Sequence, residues 1–414
     1  MTELSTSFHG LRVDLGRLAE RIATLAAIGG TGTAVTRLGL STEEQAAREL
    51  VGGWLVARGA ALHRDPAANL LARLGPSGGA PAVLIGSHLD TVPDGGRFDG
   101  ALGVVCAVEA IEALCDAGLT FRRAVEVVAW ADEEGARFGI GLFGSAAAFG
   151  CLPPGAAERT DVNGVSIARA LQALGERGDP TAARFMAPAG AYLELHIEQG
   201  PRLERAGQAV GLVSEIVGIF HGRVRVEGRG DHAGTTSMET RRDALAGAAA
   251  MVLAVEAAGR ARPGVVATVG ELAVTPGAKN VVPSAATFSL DLRSGDAAHL
   301  EELIHAIRDA IRVIALERGL RAGVDVLSTV PVTPLDASLR DLLRRAALAE
   351  GLVAPVLQSG AGHDALNAQR AGVPSAMLFV RSTGGSHTPR EDCLVADAAV
   401  GALVLARALR ELAC

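Results

Sequence analysis

Two short segments about 45 residues apart carry most of the chemistry in this chain. Gly86-Ser87-His88-Leu89-Asp90 runs on to Arg97-Phe98-Asp99-Gly100, and Ala131-Asp132-Glu133-Glu134-Gly135 follows later. The first comes directly after the apolar run Pro81-Ala82-Val83-Leu84-Ile85, the second after Val125-Glu126-Val127-Val128-Ala129-Trp130. Each set of imidazole and carboxylate groups therefore lies just past a buried-type strand, where open α/β sheets place their sites. Two further clusters, His196 with Glu198 and the isolated His387, have the same character. Divalent ions such as zinc take neutral imidazole nitrogen and carboxylate oxygen, and a two-metal site needs about two ligands per ion plus one bridging carboxylate. His88, Asp99, Glu134, His196 and His387 supply that inventory. Asp90, two residues after His88 on an extended segment, projects to the same side and is placed to orient the imidazole. Glu133, adjacent to a ligand but itself free, is placed to take a proton from water.

The elements that must position these groups read as follows. Asp14 to Arg58 is helical in pattern, with Ser41-Thr42-Glu43-Glu44 as a capping box. Strands at Ala82–Gly86 and Val125–Trp130 flank a helix over Gly103–Asp116, which is β-α-β and hence a parallel sheet. An irregular stretch from Cys151 to Pro188 leads to a strand over Ala191–His196. From Phe220 onward the order is strand (Phe220–Glu227), helix (Arg242–Ala261), strands (Val265–Val274 and Ala286–Arg293), helix (Ala298–Arg318) and strand (Gly323–Val330). That is the β-α-β-β-α-β order of a ferredoxin-like domain. Helix Ser338–Ala349 and strand Ser375–Val380 complete the chain. The predicted fold is a two-domain α/β protein. A catalytic domain over 1–212 plus 332–414 carries the metal-type residues, and a ferredoxin-like domain over 213–331 is inserted into it.

Composition narrows the function classes. The chain has 414 residues, a formal net charge of -7, 49% hydrophobic and 21% charged residues. Scattered Lys and Arg leave no footprint for nucleic acid or anionic membrane, and 3% aromatic content gives no base-stacking surface. Five cysteines without a Cys-x-x-Cys pair fit neither a disulfide framework nor a cysteine zinc site. Met1 to Arg12 lacks the basic-then-apolar pattern of a secretory leader, and no apolar run reaches membrane-spanning length. A cytoplasmic location is expected. A serine nucleophile elbow is absent, since Gly144-Ser145 has Ala where the second glycine belongs, and so is a nucleotide-binding P-loop.

The segments Gly86 to Pro93, Gly95 to Gly103, Asp132-Glu133-Glu134-Gly135, His196-Ile197-Glu198-Gln199-Gly200-Pro201, Gly362-His363-Asp364-Ala365 and Ser386-His387 together closely resemble the M20-type hydantoinase/carbamoylase amidases. That group contains N-carbamoyl-L-amino-acid hydrolases, β-ureidopropionases and allantoate amidohydrolases. The resemblance implies a catalytic domain holding two divalent ions per subunit (zinc, manganese, cobalt or nickel), with the inserted domain acting as a lid and dimerisation unit of a homodimer. It implies His88, Glu134, His196 and His387 as ligands, Asp99 as the bridge and Glu133 as the general base, with Asp90 and His232 in the catalytic set. It implies Gln199, His232, Asn280, Arg293, Gly362 and His363 as contacts to a small ureido substrate. Related aminopeptidases and deacylases carry a carboxylate where His196 stands, so that segment favours the carbamoylase branch. The loop Ser382-Thr383-Gly384-Gly385-Ser386-His387 is one residue shorter than the family's usual pattern. The expected activity is hydrolysis of an N-carbamoyl-L-amino acid, with allantoate or N-carbamoyl-β-alanine as alternative substrates and a non-catalytic binding protein of the same fold as a rival.

Overall fold

A computed structural model describes residues 10–185 and 188–414. The stretch read as lacking a secretory leader lies, up to His9, outside them. The described residues divide into two compact units: those up to 214, with 335–357 and 362–414, form one, and residues 215–334 with 358–361 form the other.

The first unit is built on a sheet whose main path runs Val210–Ile216, Ser375–Val380, Ala189–Ile197, Ala82–His88, Val125–Trp130, Leu70–Leu74, Ala61–Arg64. Its four central strands are parallel, as the β-α-β pattern predicts, and are buried along almost their whole length. The sheet is nonetheless mixed, because Leu70–Leu74 and Val210–Ile216 pair antiparallel with the parallel core on either side. Helix Ala101–Asp116 starts after Gly100, whose φ of +63° suits glycine, and is buried from Ala101 to Leu114. Being apolar on every face, it lies inside the core and not on its surface. Two acids on it are compensated: Glu109 meets Arg17 at 2.6 Å and Glu112 meets Arg21 at 2.5 Å.

Ser41 does cap helix Thr42–Val56, accepting the Glu44 N–H, but the reciprocal half of the capping box is absent. The Glu44 carboxylate instead accepts N–H groups from Leu40 (2.6 Å) and Asp132 (3.1 Å), tying this helix start to the Asp132 loop. Between the two helices expected over Asp14 to Arg58 stands a short hairpin, Gly30–Thr31 with Ala34–Val35.

The second unit has the sheet order Val265–Thr268, Ala285–Ser294, Gly218–Glu227, Arg321–Val330, with Leu272–Thr275 also paired to Ala285–Ser294. Helices Ala244–Arg260 and Ala297–Glu317 are capped by Asp243 and Asp296. The expected single strand over Val265–Val274 is two. At its middle, Gly270 and Glu271 donate their N–H groups to Ser289 Oγ (3.1 and 3.0 Å), which interrupts the ladder. Leu290, Leu292, Leu303, Ile307 and Met251 form part of this unit's own core. Among the described residues no helix is long and apolar enough to cross a membrane.

Candidate metal centre

Parallel pairing places the carboxyl ends of Ala82–His88, Val125–Trp130, Ala189–Ile197 and Ser375–Val380 on one edge of the sheet, with His88 opposite Trp130 and His196 opposite Phe379. His88 closes its strand, His196 is next to last in its own, and Glu133, Glu134 and His387 follow the other two. Asp99 comes from the loop that opens helix Ala101–Asp116.

Three overlapping groups of donor atoms result: His88, Asp99 and His196; His88, Glu133 and Glu134; and Asp99, Glu134 and His387. Within each group the atoms lie within 4.8 Å of one another. His196 Nε2 is 3.2 Å from Asp99 Oδ1 and 3.5 Å from His88 Nε2. His88 Nε2 is 3.8 Å from Asp99 Oδ1. On the other side of Asp99, His387 Nε2 is 3.5 Å from Oδ2 and 3.2 Å from Glu134 Oε2. Ligands held about 2.0–2.1 Å from one tetrahedral ion lie roughly 3.3 Å apart, so these spacings fit a divalent cation on each side of Asp99. A further sign of fit is Glu134 Oε1, which is buried and has no hydrogen-bond partner among the described residues.

Glu133 lies beside this array, 9% exposed, with Oε2 3.6 Å from His88 Nε2. Burial pushes its carboxyl well above the ordinary range; the charge of His88 opposes that, while Glu134 and Asp364 reinforce it. A carboxylate made more basic in this way is suited to accept a proton. Burial alone would raise Asp99 too, yet the hydrogen bond and charge of His196, with His88, hold it far below the usual carboxylate range.

Asp90 does more than orient His88. Its Oδ1 is 3.4 Å from His88 Nδ1, and its two oxygens accept the backbone N–H groups of Glu133 and Glu134, both at 3.0 Å. One carboxylate thus ties the first ligand segment to the second. Arg37, fully buried, donates to the carbonyls of Leu89, Leu25 (3.1 Å) and Ile28 (2.9 Å), fixing the peptide between His88 and Asp90.

Glu198, paired with His196 in the sequence, is elsewhere occupied: it accepts the N–H groups of Arg202 and Leu203 at the start of a short helix. The roles of two residues escaped the sequence reading. Glu391 accepts the N–H groups of Phe98 (2.9 Å) and Asp99 (3.0 Å), and Ser386 Oγ bridges Asp99 Oδ2 (2.5 Å) and Glu391 Oε2 (3.1 Å). Burial pushes Glu391 up to about 7. Its neighbours Arg390 and Asp392 make the segment look like a solvated face, and its partners lie almost 300 residues away. The nearby Ser386-His387 pair was the available signal.

Among the expected substrate contacts, Gln199 donates to Asp99 Oδ2 at 2.9 Å and is joined to the array in that way. His363 is 1% exposed and sits edge-on to His196, ring centroids 4.5 Å apart, and edge-on to Phe379 at 5.8 Å. It packs behind an array residue and is not open to solvent. Gly362 is adjacent, within 3.9 Å of Leu142 Cδ1 if given a Cβ. The others belong to the second unit. His232 and Asn280 come together there, the Asn280 carbonyl accepting the Ala233 N–H at 3.0 Å, beside the His232–Val281 pairing. His232 Nδ1 accepts two backbone N–H groups, from Gly234 (3.1 Å) and Thr235 (3.2 Å). Nδ1 is therefore the unprotonated nitrogen, and Nε2 carries a proton to donate. Arg293 forks onto Asp291.

Several residues of the first unit take a left-handed backbone without being glycine: Asp132 (φ 51°), Leu142 (φ 58°), Gln199 (φ 61°) and His387 (φ 56°). Each lies in or against a loop that carries an array residue. Such strain costs on the order of 1–3 kcal/mol per residue and gathers at functional sites.

A family model described as peptidase family M20/M25/M40 matches residues 84–411. The chain is 40% identical over 403 residues to an N-carbamoyl-L-amino acid amidohydrolase of Geobacillus stearothermophilus, covering 96% of this chain and 98% of that one. It is 35% identical over 427 residues to an allantoate deiminase of Arabidopsis thaliana, covering 94% of this chain and 80% of that one. A solved hydantoinase/carbamoylase family amidase from Burkholderia multivorans superposes with a TM-score of 0.90 at 35% identity, covering 98% and 99% of the two chains.

Proposed function

Because the chain belongs to peptidase family M20/M25/M40, in the company of hydantoinase/carbamoylase amidases, we propose that it is a metal-dependent amidohydrolase that removes the carbamoyl group of N-carbamoyl-L-amino acids. The products are the amino acid, ammonia and carbon dioxide. The observation that carries this reading is the array itself, in which Asp99 belongs to two groups of imidazole and carboxylate donors and a basic, buried Glu133 adjoins them. His88, His196, Glu134, His387 and bridging Asp99 would hold two divalent cations, of zinc, manganese, cobalt or nickel. Bound there, such ions lower the pKa of a coordinated water and polarise a carbonyl oxygen.

The chain's own residues supply the rest. Glu133 accepts the proton of the attacking water and returns it to the leaving nitrogen. His232, with its tautomer set by Gly234 and Thr235, donates Nε2–H to the carbonyl oxygen as charge develops there. Arg293 pairs with the substrate carboxylate. Gln199 and Asn280 supply amide contacts and Gly362 lines the site, while His363, expected as a substrate contact, is buried against His196 and backs that ring instead. The second unit then acts as a lid and as the contact of a homodimer, so that His232 serves the partner subunit's site. The five free thiols speak for a reducing, cytoplasmic setting.

Allantoate is the alternative substrate, which the relationship to an allantoate deiminase supports. The deciding experiment measures ammonia release from N-carbamoyl-L-amino acids, N-carbamoyl-β-alanine and allantoate with added zinc or manganese. Turnover chiefly of the first group is expected. Preference for allantoate would replace the substrate, and no release from any member would overturn the activity.

A further inference from the structure

The outer face of the second unit's sheet carries a chain of polar groups that leads to Arg293. Residues two apart on a strand share a face, and along Ala285–Ser294 the alternation buries Leu290, Leu292 and Ser294 while leaving Asp291 and Arg293 on the other side. Arg293 Nε donates to Asp291 Oδ1 at 2.8 Å and Nη2 to Oδ2 at 2.7 Å. Nη1 donates to the Gly360 carbonyl at 2.8 Å. Asp291 is itself held from the neighbouring strand. Its cross-strand partner is His221, whose Nε2 lies 3.5 Å from Oδ2 and whose Nδ1 lies 3.1 Å from Ser328 Oγ.

Of the five N–H donors of a guanidinium, three are thus committed among the described residues, which leaves one on Nη1 and one on Nη2. We infer that Asp291, steadied by His221, is the positioning residue that aims the free N–H pair of Arg293 at the carboxylate of the substrate, and so sets the enzyme's preference for carboxylate-bearing ureido compounds.

This rests on the proposed activity and on the role given there to Arg293. The opposite effect is the natural rival: a carboxylate already on the guanidinium competes with the incoming one. Magnitudes decide between them. The side chains of Asp291 and Arg293 are 31% and 32% exposed, so solvent screens the charge that Asp291 removes. The fork geometry is not screened, and a planar guanidinium delivers its directional hydrogen bonds only when its plane is fixed. Asn at 291 keeps the size but turns an amide NH₂ against a guanidinium N–H, so that one of the two bonds is lost.

The test is a set of steady-state measurements on the full-length, metal-loaded protein with an N-carbamoyl-L-amino acid and its carboxamide analogue. Asp291→Asn should raise KM for the acid about tenfold, leave kcat within about twofold and leave the carboxamide unaffected. In an Arg293→Lys background the same change should add nothing, because a residue acting through Arg293 has no effect once the fork is gone. Asp291→Ala, which removes the acceptors without adding a donor, serves as the second variant should Asn disturb folding. A lowered or unchanged KM for the acid, or an equal penalty in the Lys background, overturns the inference while the activity stands. Absence of turnover by the unaltered protein on both compounds overturns the activity and the inference with it.

Discussion

Substituting Gly100 by Ala tests the array through its geometry. The added Cβ would lie 2.2 Å from His88 Cε1 and 2.3 Å from both ring nitrogens. Ordinary contact between such atoms begins at about 3.5 Å, so the ring must recede by about 1.2 Å or more. It has little freedom to do so, being 1% exposed and held at Nδ1 by Asp90. Metal–ligand distances tolerate about 0.2 Å, and a misplacement of about 1 Å near the chemistry costs on the order of 100-fold in rate. Overpacking adds about 1–3 kcal/mol of destabilisation, and the left-handed φ of +63° adds about 1–2 kcal/mol more. The assay is metal per chain by mass spectrometry after dialysis, alongside ammonia release and a thermal melt read by circular dichroism. A folded variant with less than the unaltered metal content and kcat down about 100-fold is the expected result. Unchanged metal content together with kcat within threefold would refute the placement of His88 in the array.

Gly53→Ala is the matching control: no atom lies within 4 Å of the new Cβ on an exposed helical position, so stability should rise by about 0.5–1 kcal/mol in urea titration with turnover unchanged. Glu133→Gln should lower kcat by roughly 10²- to 10⁴-fold while metal content by mass spectrometry stays near that of the unaltered protein, since it removes a proton acceptor and not a ligand; near-normal kcat would remove Glu133 as the base. Asp99→Ala should lower metal content itself, because both donor groups around it lose a member, and an undiminished count would take it out of the ligand set. Mixing inactive His232→Ala and Glu133→Gln proteins under conditions of subunit exchange should restore up to about a quarter of full activity, since about half the dimers are mixed and each has one intact site. No recovery despite demonstrated exchange would place His232 in its own subunit's site.

The parts legible in the sequence are those written in local signals. His88, Glu133 and Glu134 follow apolar runs that form buried parallel strands, and helices Ala244–Arg260, Ala297–Glu317 and Ala337–Leu348 start at Asp caps close to where periodicity puts them. What escaped depends on distant partners or on weak local pattern. Ala61–Arg64 is exposed at all four positions, so no alternation marks it as a strand. The break between Val265–Thr268 and Leu272–Thr275 is made by Ser289, about 18 residues away. Glu391 and Ser386 act on Asp99 across nearly 300 residues, and Glu198 resembles a ligand in sequence although its oxygens are used at a helix start. Residue type and strand position pointed to the candidate donors and to Asp90, which stands two residues after His88, but the groups that hold Asp99 from across the chain left no local sign.

The left-handed residues Asp132, Leu142, Gln199 and His387 bear on how this protein can be engineered. A library screened for heat resistance alone would be drawn to these positions, where glycine relieves the backbone at no steric cost. Such gains would come from relaxing the loops that set the array's spacings, and hardier variants from these sites should be poorer catalysts. Durable improvement belongs on exposed positions outside those loops, such as Val56 at the end of helix Thr42–Val56, which stands 52% exposed.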